Sequence, residues 1–292
     1  VILNTSGSQY KILNIEDGEA APATYTKNYT LPVPDTGDPD IIFVGWFTQK
    51  NGAGRQITDS KGNSLVPYNY TRDSSVYPCF NGKELAFYST KDRNGNPAYG
   101  VKAGQGIHSV TDIVIPVTYK GLPVVLIDDD AFNSYSNILS ITIPDTIELI
   151  GQKAFRSALN LEKVEVYVAD PTQTYETFYA SANGALIRYD MGTVYLECVP
   201  KAIGKLSETG TFVIPEEVTA LKVESFRYCN VTTVVIPNNV IEFPSKAFIG
   251  CSALKNIEFL ERTNPLELAY DTFSGCGNLL HLDIPAGTSW LA

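Results

Sequence analysis

The sequence predicts a mainly β chain with short helical turns, folded as a solenoid of stacked units of about 23 residues, with a small β domain ahead of it. Three observations carry this. Two short words, Ile-Pro and Ala-Phe, alternate along the later part of the chain. They keep a fixed offset: Pro144 to Phe155, Pro215 to Phe226 and Pro237 to Phe248 each span 11 residues. Apolar residues recur two positions apart at Ile141/Ile143, Val164/Val166, Val234/Ile236, Ile257/Phe259 and Leu282/Ile284, the pattern of a strand with one buried face.

Residues 1–58 contain neither word. They read as a small β domain with short strands at 11–15, 29–33 and 41–47. Residues 59–79 are rich in Ser, Asn, Asp, Tyr and Pro, lack periodicity, and read as a linker. The solenoid is expected over 80–292. Its first end needs a cap, and residues 85–89 and 98–102, flanking Asp92-Arg93-Asn94-Gly95-Asn96, read as a capping hairpin that leads into Ile113-Val114-Ile115-Pro116.

Within the repeats, an aliphatic residue opens each unit at Ile138, Leu161, Val231, Leu254 and Leu279. The Pro ends the strand because it has no N–H for the ladder. A second apolar pair follows, as at Ile147/Ile150 and Val218/Leu221. The Ala-Phe word then occupies a compact turn, where Ala lets backbones approach and Phe fills the core. From Phe155 to Phe226 is 71 residues, about three units, with neither word between them. There residues 183–200 form two apolar runs around Asp190-Met191-Gly192, a hairpin that replaces the usual turn. About seven or eight stacked units account for the length.

Composition narrows the function. A hydrophobic fraction of 44% with 11% aromatics excludes a disordered chain. No apolar run approaches the roughly 20 residues of a membrane-spanning helix. Twenty-two Lys plus Arg against 32 Asp plus Glu give a net charge of −10, and no basic cluster occurs, which argues against nucleic acid as a partner. Two His leave little room for His-based catalysis or a His-rich metal site.

The repeat words resemble the BspA-like leucine-rich repeat family, whose unit reads Leu-x-x-Ile-x-Ile-Pro, a variable stretch, Ile-Gly, then Ala-Phe-x-x-Cys. Ile141-Thr142-Ile143-Pro144, Ile150-Gly151 and Ala154-Phe155 match it, as do Val234-Val235-Ile236-Pro237 and Ala247-Phe248-Ile249-Gly250-Cys251. The resemblance covers about 85–292. Phe243-Pro244 departs from Ile-Gly, and Ser225 and Thr272 stand for Ala. Residues 10–58 resemble the Listeria–Bacteroides repeat, a small β-grasp-like surface module, through Tyr29-Thr30-Leu31-Pro32 and Ile42-Phe43-Val44-Gly45-Trp46-Phe47-Thr48. Together the resemblances imply a bacterial cell-surface or secreted protein that adheres or binds rather than catalyses, without a cofactor. The chain opens Val1-Ile2-Leu3-Asn4 with neither a signal peptide nor a lipobox in the sequence, which decides nothing about targeting: a lipid anchor outside this sequence, secretion and wall anchoring all stay open.

Cys229, Cys251 and Cys276 each lie three residues after a repeat Phe. Tyr135 and Ala158 occupy the same column, so it is read as a packing position rather than a metal or disulfide site. Asp128-Asp129-Asp130 and Asp35-Thr36-Gly37-Asp38-Pro39-Asp40 are read as solvated turns rather than cation loops. His108 and His281 have no partner implied by spacing, and Gly104-Gln105-Gly106 has no following helix to make a phosphate cradle.

The candidate binding residues are the outward strand positions: Ser140/Thr142, Lys163/Glu165, Thr233/Val235, Asn256/Glu258 and His281/Asp283. Solenoids bind along such faces. The expected partner is an extracellular host or bacterial protein, such as a matrix protein, or a glycan. The Tyr-rich residues 68–77 and 175–179 are alternative contact surfaces. A carbohydrate platform would need Trp46 or Trp290, both of which are read as packing residues. A structural spacer displaying another module is the remaining alternative.

Overall fold

The computed structural model describes residues 2–3, 10–13, 30–31, 33–34, 42–48, 56–65, 74–81, 84–167 and 176–291. The chain forms two compact units, one of residues 1–128, 142–151 and 167–174, the other of 129–141, 152–166 and 175–292. The strands Ser140–Pro144 and Lys163–Tyr167 are therefore each divided between them.

In the first unit an antiparallel sheet runs in the order Ile2–Leu3, Tyr10–Leu13, Ser74–Asn81, Ile42–Phe47. Its register shifts between Phe43 and Gly45. Gly45 has φ 150° there, and a Cβ on it would fall on the Thr58 carbonyl oxygen. The Gly-Trp-Phe word thus marks a close backbone approach. Trp46 N–H donates to Thr58 Oγ1 at 3.0 Å and Ile57 N–H to the Trp46 carbonyl at 2.7 Å. Trp46 packs with Leu31, Phe43, Ile57 and Val76.

The expected linker is corrected by this sheet. Ser74–Asn81 is an interior strand, and Leu31 N–H donates to the Gly62 carbonyl while Thr58 bridges Ser64. Aperiodic polar composition marks a tight, packed turn as readily as a free connector. Residues 66–73 lie outside those described, as do 14–15 of the first expected strand. Of the expected strand at 29–33, Thr30 makes one isolated bridge to Asn63.

Leu85–Lys91 and Pro97–Ala103 form the expected hairpin. Its turn is closed by Asp92, whose Oδ1 accepts from the Asn94 and Asn96 N–H groups at 2.9 and 2.8 Å. Pro97–Ala103 then pairs in parallel with Leu122–Ile127, which pairs in parallel with Leu149–Ile150. The hairpin is thus the first rung of a ladder rather than a detached cover.

The second unit holds the later repeats. Thr211–Val213, Thr233–Ile236 and Asn256–Phe259 form one parallel sheet, and Glu242–Phe243, Glu267–Ala269 and Ser289–Leu291 another. Between them lies one continuous apolar core. The Phe words at 226, 248 and 273 stack in it, their rings following at 4.5 and 5.2 Å, and in the earlier repeats Phe132 faces Phe155 at 6.1 Å. One bond recurs from rung to rung, from the Phe N–H to the carbonyl preceding the next Phe: Phe132 to Ala154, Phe226 to Ala247, Phe248 to Thr272. Val199 N–H makes it to Ser225, so Val199-Pro200 holds the Phe place in the modified repeat. That repeat is an antiparallel meander, Thr177–Ala182, Ala185–Asp190 and Thr193–Cys198, whose last strand rejoins the ladder by pairing in parallel with Ala220–Leu221.

Candidate binding face

The outward face of the second unit is assembled by register. Thr211, Thr233 and Asn256 lie side by side, and so do Val213, Val235 and Glu258. Their neighbours Phe212, Val234 and Ile257 turn into the core. Thr211 and Val213 were not among the predicted positions, although the 22-residue step from Thr233 and Val235 identifies them. Four predicted residues, Thr233, Val235, Asn256 and Glu258, are therefore brought together. Asn256 and Glu258 are exposed, Val235 is half-buried and Thr233 is buried; Asn256 Nδ2 donates to Thr233 Oγ1 at 3.4 Å.

Lys163 and Glu165 share the outward side of their strand and pair with each other at 2.9 Å. The next rung is not a strand. Val164 N–H bonds the Gly184 carbonyl, and the Asn183 side chain donates to the Val213 carbonyl at 3.0 Å. Asn183 and Gly184 both have positive φ, at 53° and 81°, as a tight hairpin turn requires. This turn interrupts the ladder between Lys163 and Thr211.

The remaining predicted positions lie apart from this face. Ser140 and Thr142 are 9% and 7% exposed, too buried to offer a contact surface. In the first unit the outward side of the first rung is covered: Val114 packs with Val44, Phe47, Cys79 and Tyr167. Gln56, fully buried, ties this contact. Its Nε2 donates to the Val44 and Thr58 carbonyls, and its Oε1 accepts from Val117 N–H at 3.2 Å and Tyr167 O–H at 2.9 Å. His281 and Asp283 are exposed, but residues 279–285 form no strand. Trp290 lies in the edge strand Ser289–Leu291 and is 64% exposed, not packed. Trp46 is fully buried.

The cysteine column is occupied by bonded thiols. Cys229 donates to the Val199 carbonyl at 3.2 Å, Cys251 to Phe226 at 2.8 Å and Cys276 to Phe248 at 3.1 Å, each reaching the preceding rung. Burial pushes the Cys229 thiol up to about 12. Asp129 accepts from the Lys153 N–H of the following rung at 2.9 Å, and Asp130 from the Asn133 side chain. Among the described residues no group of three or more His, Cys, Asp or Glu gathers to hold a metal ion. Residues 35–40, and much of the two Tyr-rich segments, lie outside those described.

Parallel rungs on two faces with a stacked Phe column define a leucine-rich-repeat solenoid. The BspA type leucine-rich repeat region matches in six copies over residues 105–189 and 202–291, and the chain belongs to this family. The match does not include residues 1–104. Among solved structures, a leucine-rich cell surface protein from Faecalibacterium prausnitzii is 22% identical, with TM-score 0.40, over 61% of this chain and 55% of that one. A leucine-rich repeat protein from Bacteroides ovatus is 19% identical, with TM-score 0.43, over 70% and 53%. The T. pallidum leucine-rich repeat protein is 18% identical, with TM-score 0.41, over 68% and 88%. The chain spans about half the length of the first two. No curated protein matches it.

Proposed function

We propose that the chain is a bacterial cell-surface protein that binds another extracellular protein, and that the face made by Thr211, Val213, Val235, Asn256 and Glu258 is the contact surface. The supporting observation is the in-register ladder, which aligns these side chains in two rows while the outward side of the first rung is covered. Membership of the repeat family supports a binding role over catalysis. Residues 10–58 are read as a β-grasp-like surface module because their Gly45-Trp46-Phe47 word lies buried at the core. The test is binding of the chain to immobilised extracellular-matrix and bacterial surface proteins, with Val235→Arg and Glu258→Arg as variants. Saturable binding lost in both supports the face. Saturable binding that both variants retain moves the site elsewhere, and a broad panel without binding argues against adhesion.

Exposed Trp290 favours a second reading, a glycan platform at the last strand. A glycan array on which the chain and its Trp290→Ala variant behave alike removes it.

A further inference from the structure

Cys251 and Cys276 occupy the same column on successive rungs of the second unit, and their thiols meet. The rungs are tied just ahead of the pair: Phe248 N–H donates to the Thr272 carbonyl at 2.9 Å and Gly250 N–H to the Ser274 carbonyl at 2.8 Å. In parallel register these bonds set Phe248 opposite Phe273 and Gly250 opposite Gly275, so Cys251 faces Cys276. A Cβ on Gly275 would lie 3.2 Å from the Gly250 Cα, a measure of how close the two backbones run. Bonded rungs lie about 4.8 Å apart, inside the roughly 4.4–6.8 Å between Cα atoms that a disulfide spans. The Cys251 and Cys276 side chains hydrogen-bond each other. Toward the preceding rung Cys251 bonds backbone instead, at Cys229 and at the Phe226 carbonyl.

Both thiols are free in this structure, and the two are unequal. Cys251 is fully buried, whereas Cys276 is 9% exposed. Gly277, next to Cys276, has open space where a Cβ would stand. The Cys251 bond, opposed by a smaller effect of burial, holds the Cys276 thiol below its ordinary value; the same bond, and secondly burial, push the Cys251 thiol up. Cys276 is therefore the member that ionises first and the one nearer solvent, and the thiolate is the attacking form in thiol–disulfide exchange. We propose that Cys251 and Cys276 are a redox pair that closes to a disulfide between two rungs, with a low-molecular-weight disulfide as the oxidant. Cys276, as thiolate, attacks one sulfur of the oxidant, whose S–S bond breaks to release one thiol. Cys251 then attacks the Cys276 sulfur of the mixed disulfide and releases the second thiol. Each released sulfur takes up the proton that its cysteine gave up. Two electrons pass from the cysteine pair to the oxidant, which leaves as two thiols. The closed bond clasps the last repeats to one another. The inference concerns the chain's own thiols and does not rest on the strand face binding anything.

The test is treatment of the folded 292-residue chain with oxidised glutathione at mildly alkaline pH, followed by acid quenching and peptide mapping by mass spectrometry. The expected product links the Cys251 and Cys276 peptides, and dithiothreitol reverses it. Hydrogen-exchange protection over residues 251–276 should rise on closure, while that over 85–127 stays unchanged. Cys251→Ser should stop at the mixed disulfide and retain glutathione on Cys276, and Cys198→Ser should leave the linkage intact. The map of the unaltered chain stands whether or not either variant folds. Both cysteines still free after oxidation, a linkage of either one to Cys229 or Cys198, or a linkage that forms only once urea has unfolded the chain overturns the proposal. Glutathione retained on Cys251 in Cys276→Ser, but not on Cys276 in Cys251→Ser, overturns the order of attack.

Discussion

At the scale of single residues, the chain is held by positions that tolerate one side chain or none. Gly45 is the clearest, since any Cβ meets the Thr58 backbone. Gly95, with φ 85° but open space around it, isolates the cost of backbone conformation alone. Gly95→Ala should cost about 1–2 kcal/mol, and Gly45→Ala at least about 2 kcal/mol more. Urea unfolding of the pair decides; equal losses would show that Thr58 moves aside. The buried thiols give a pH prediction. Cys79 and Cys229 are both pushed up to about 12 by burial, against roughly 8.5 for an unfolded thiol. A raised pKa stabilises fully below the unfolded value and is lost as pH rises through the folded one. Unfolding then releases protons, so stability should fall from about pH 8.5 upward. Cys229→Ala should flatten that fall, and an unaltered slope across urea midpoints at pH 8 and 10 would contradict the assignment.

At the scale of elements, the rungs are joined by bonds that repeat with the sequence words. The Phe N–H bond to the carbonyl before the next Phe, and the thiol bonds of Cys229, Cys251 and Cys276 to the preceding rung, explain why Ala, Ser or Thr precedes Phe and why Cys follows it in those three units. Ser225 and Thr272 fit because the position needs a small side chain beside a bonded carbonyl; Thr272 Oγ1 also reaches the Ala269 carbonyl at 2.7 Å. Gln56 plays the corresponding part between the N-terminal sheet and the first rung. Gln56→Ala leaves Val117 N–H and Tyr167 O–H without this acceptor, at about 1–3 kcal/mol for each group left unsatisfied. Faster amide exchange at Val117, ahead of that at Val101, is the expected signature.

At the scale of the whole molecule, each rung touches only its neighbours, so damage should spread locally. Phe248 is stacked between Phe226 and Phe273. Phe248→Ala should cost about 3–5 kcal/mol. Exchange protection should fall over residues 226–276 and persist over 85–127. Uniform loss across both segments would mean that the chain unfolds as one cooperative body. The candidate face belongs to this scale too, since Thr211, Thr233 and Asn256 are neighbours only through stacking.

The sequence by itself determined the repeat. Strand parity, the Phe column and the Cys column follow from local periodicity, because a unit of about 23 residues must present the same apolar side each time. The hairpins at 92–96 and 190–192 were legible from turn residues that tolerate positive φ. Only the tertiary structure decided which outward residues stay accessible. Val114 lies outward by the same parity as Val235, yet it is covered because Val44, Phe47 and Cys79 pack on it. No local pattern announces a contact between residues about 70 positions apart. The order Tyr10–Leu13, Ser74–Asn81, Ile42–Phe47 was equally hidden, because an aperiodic polar stretch precedes its central strand.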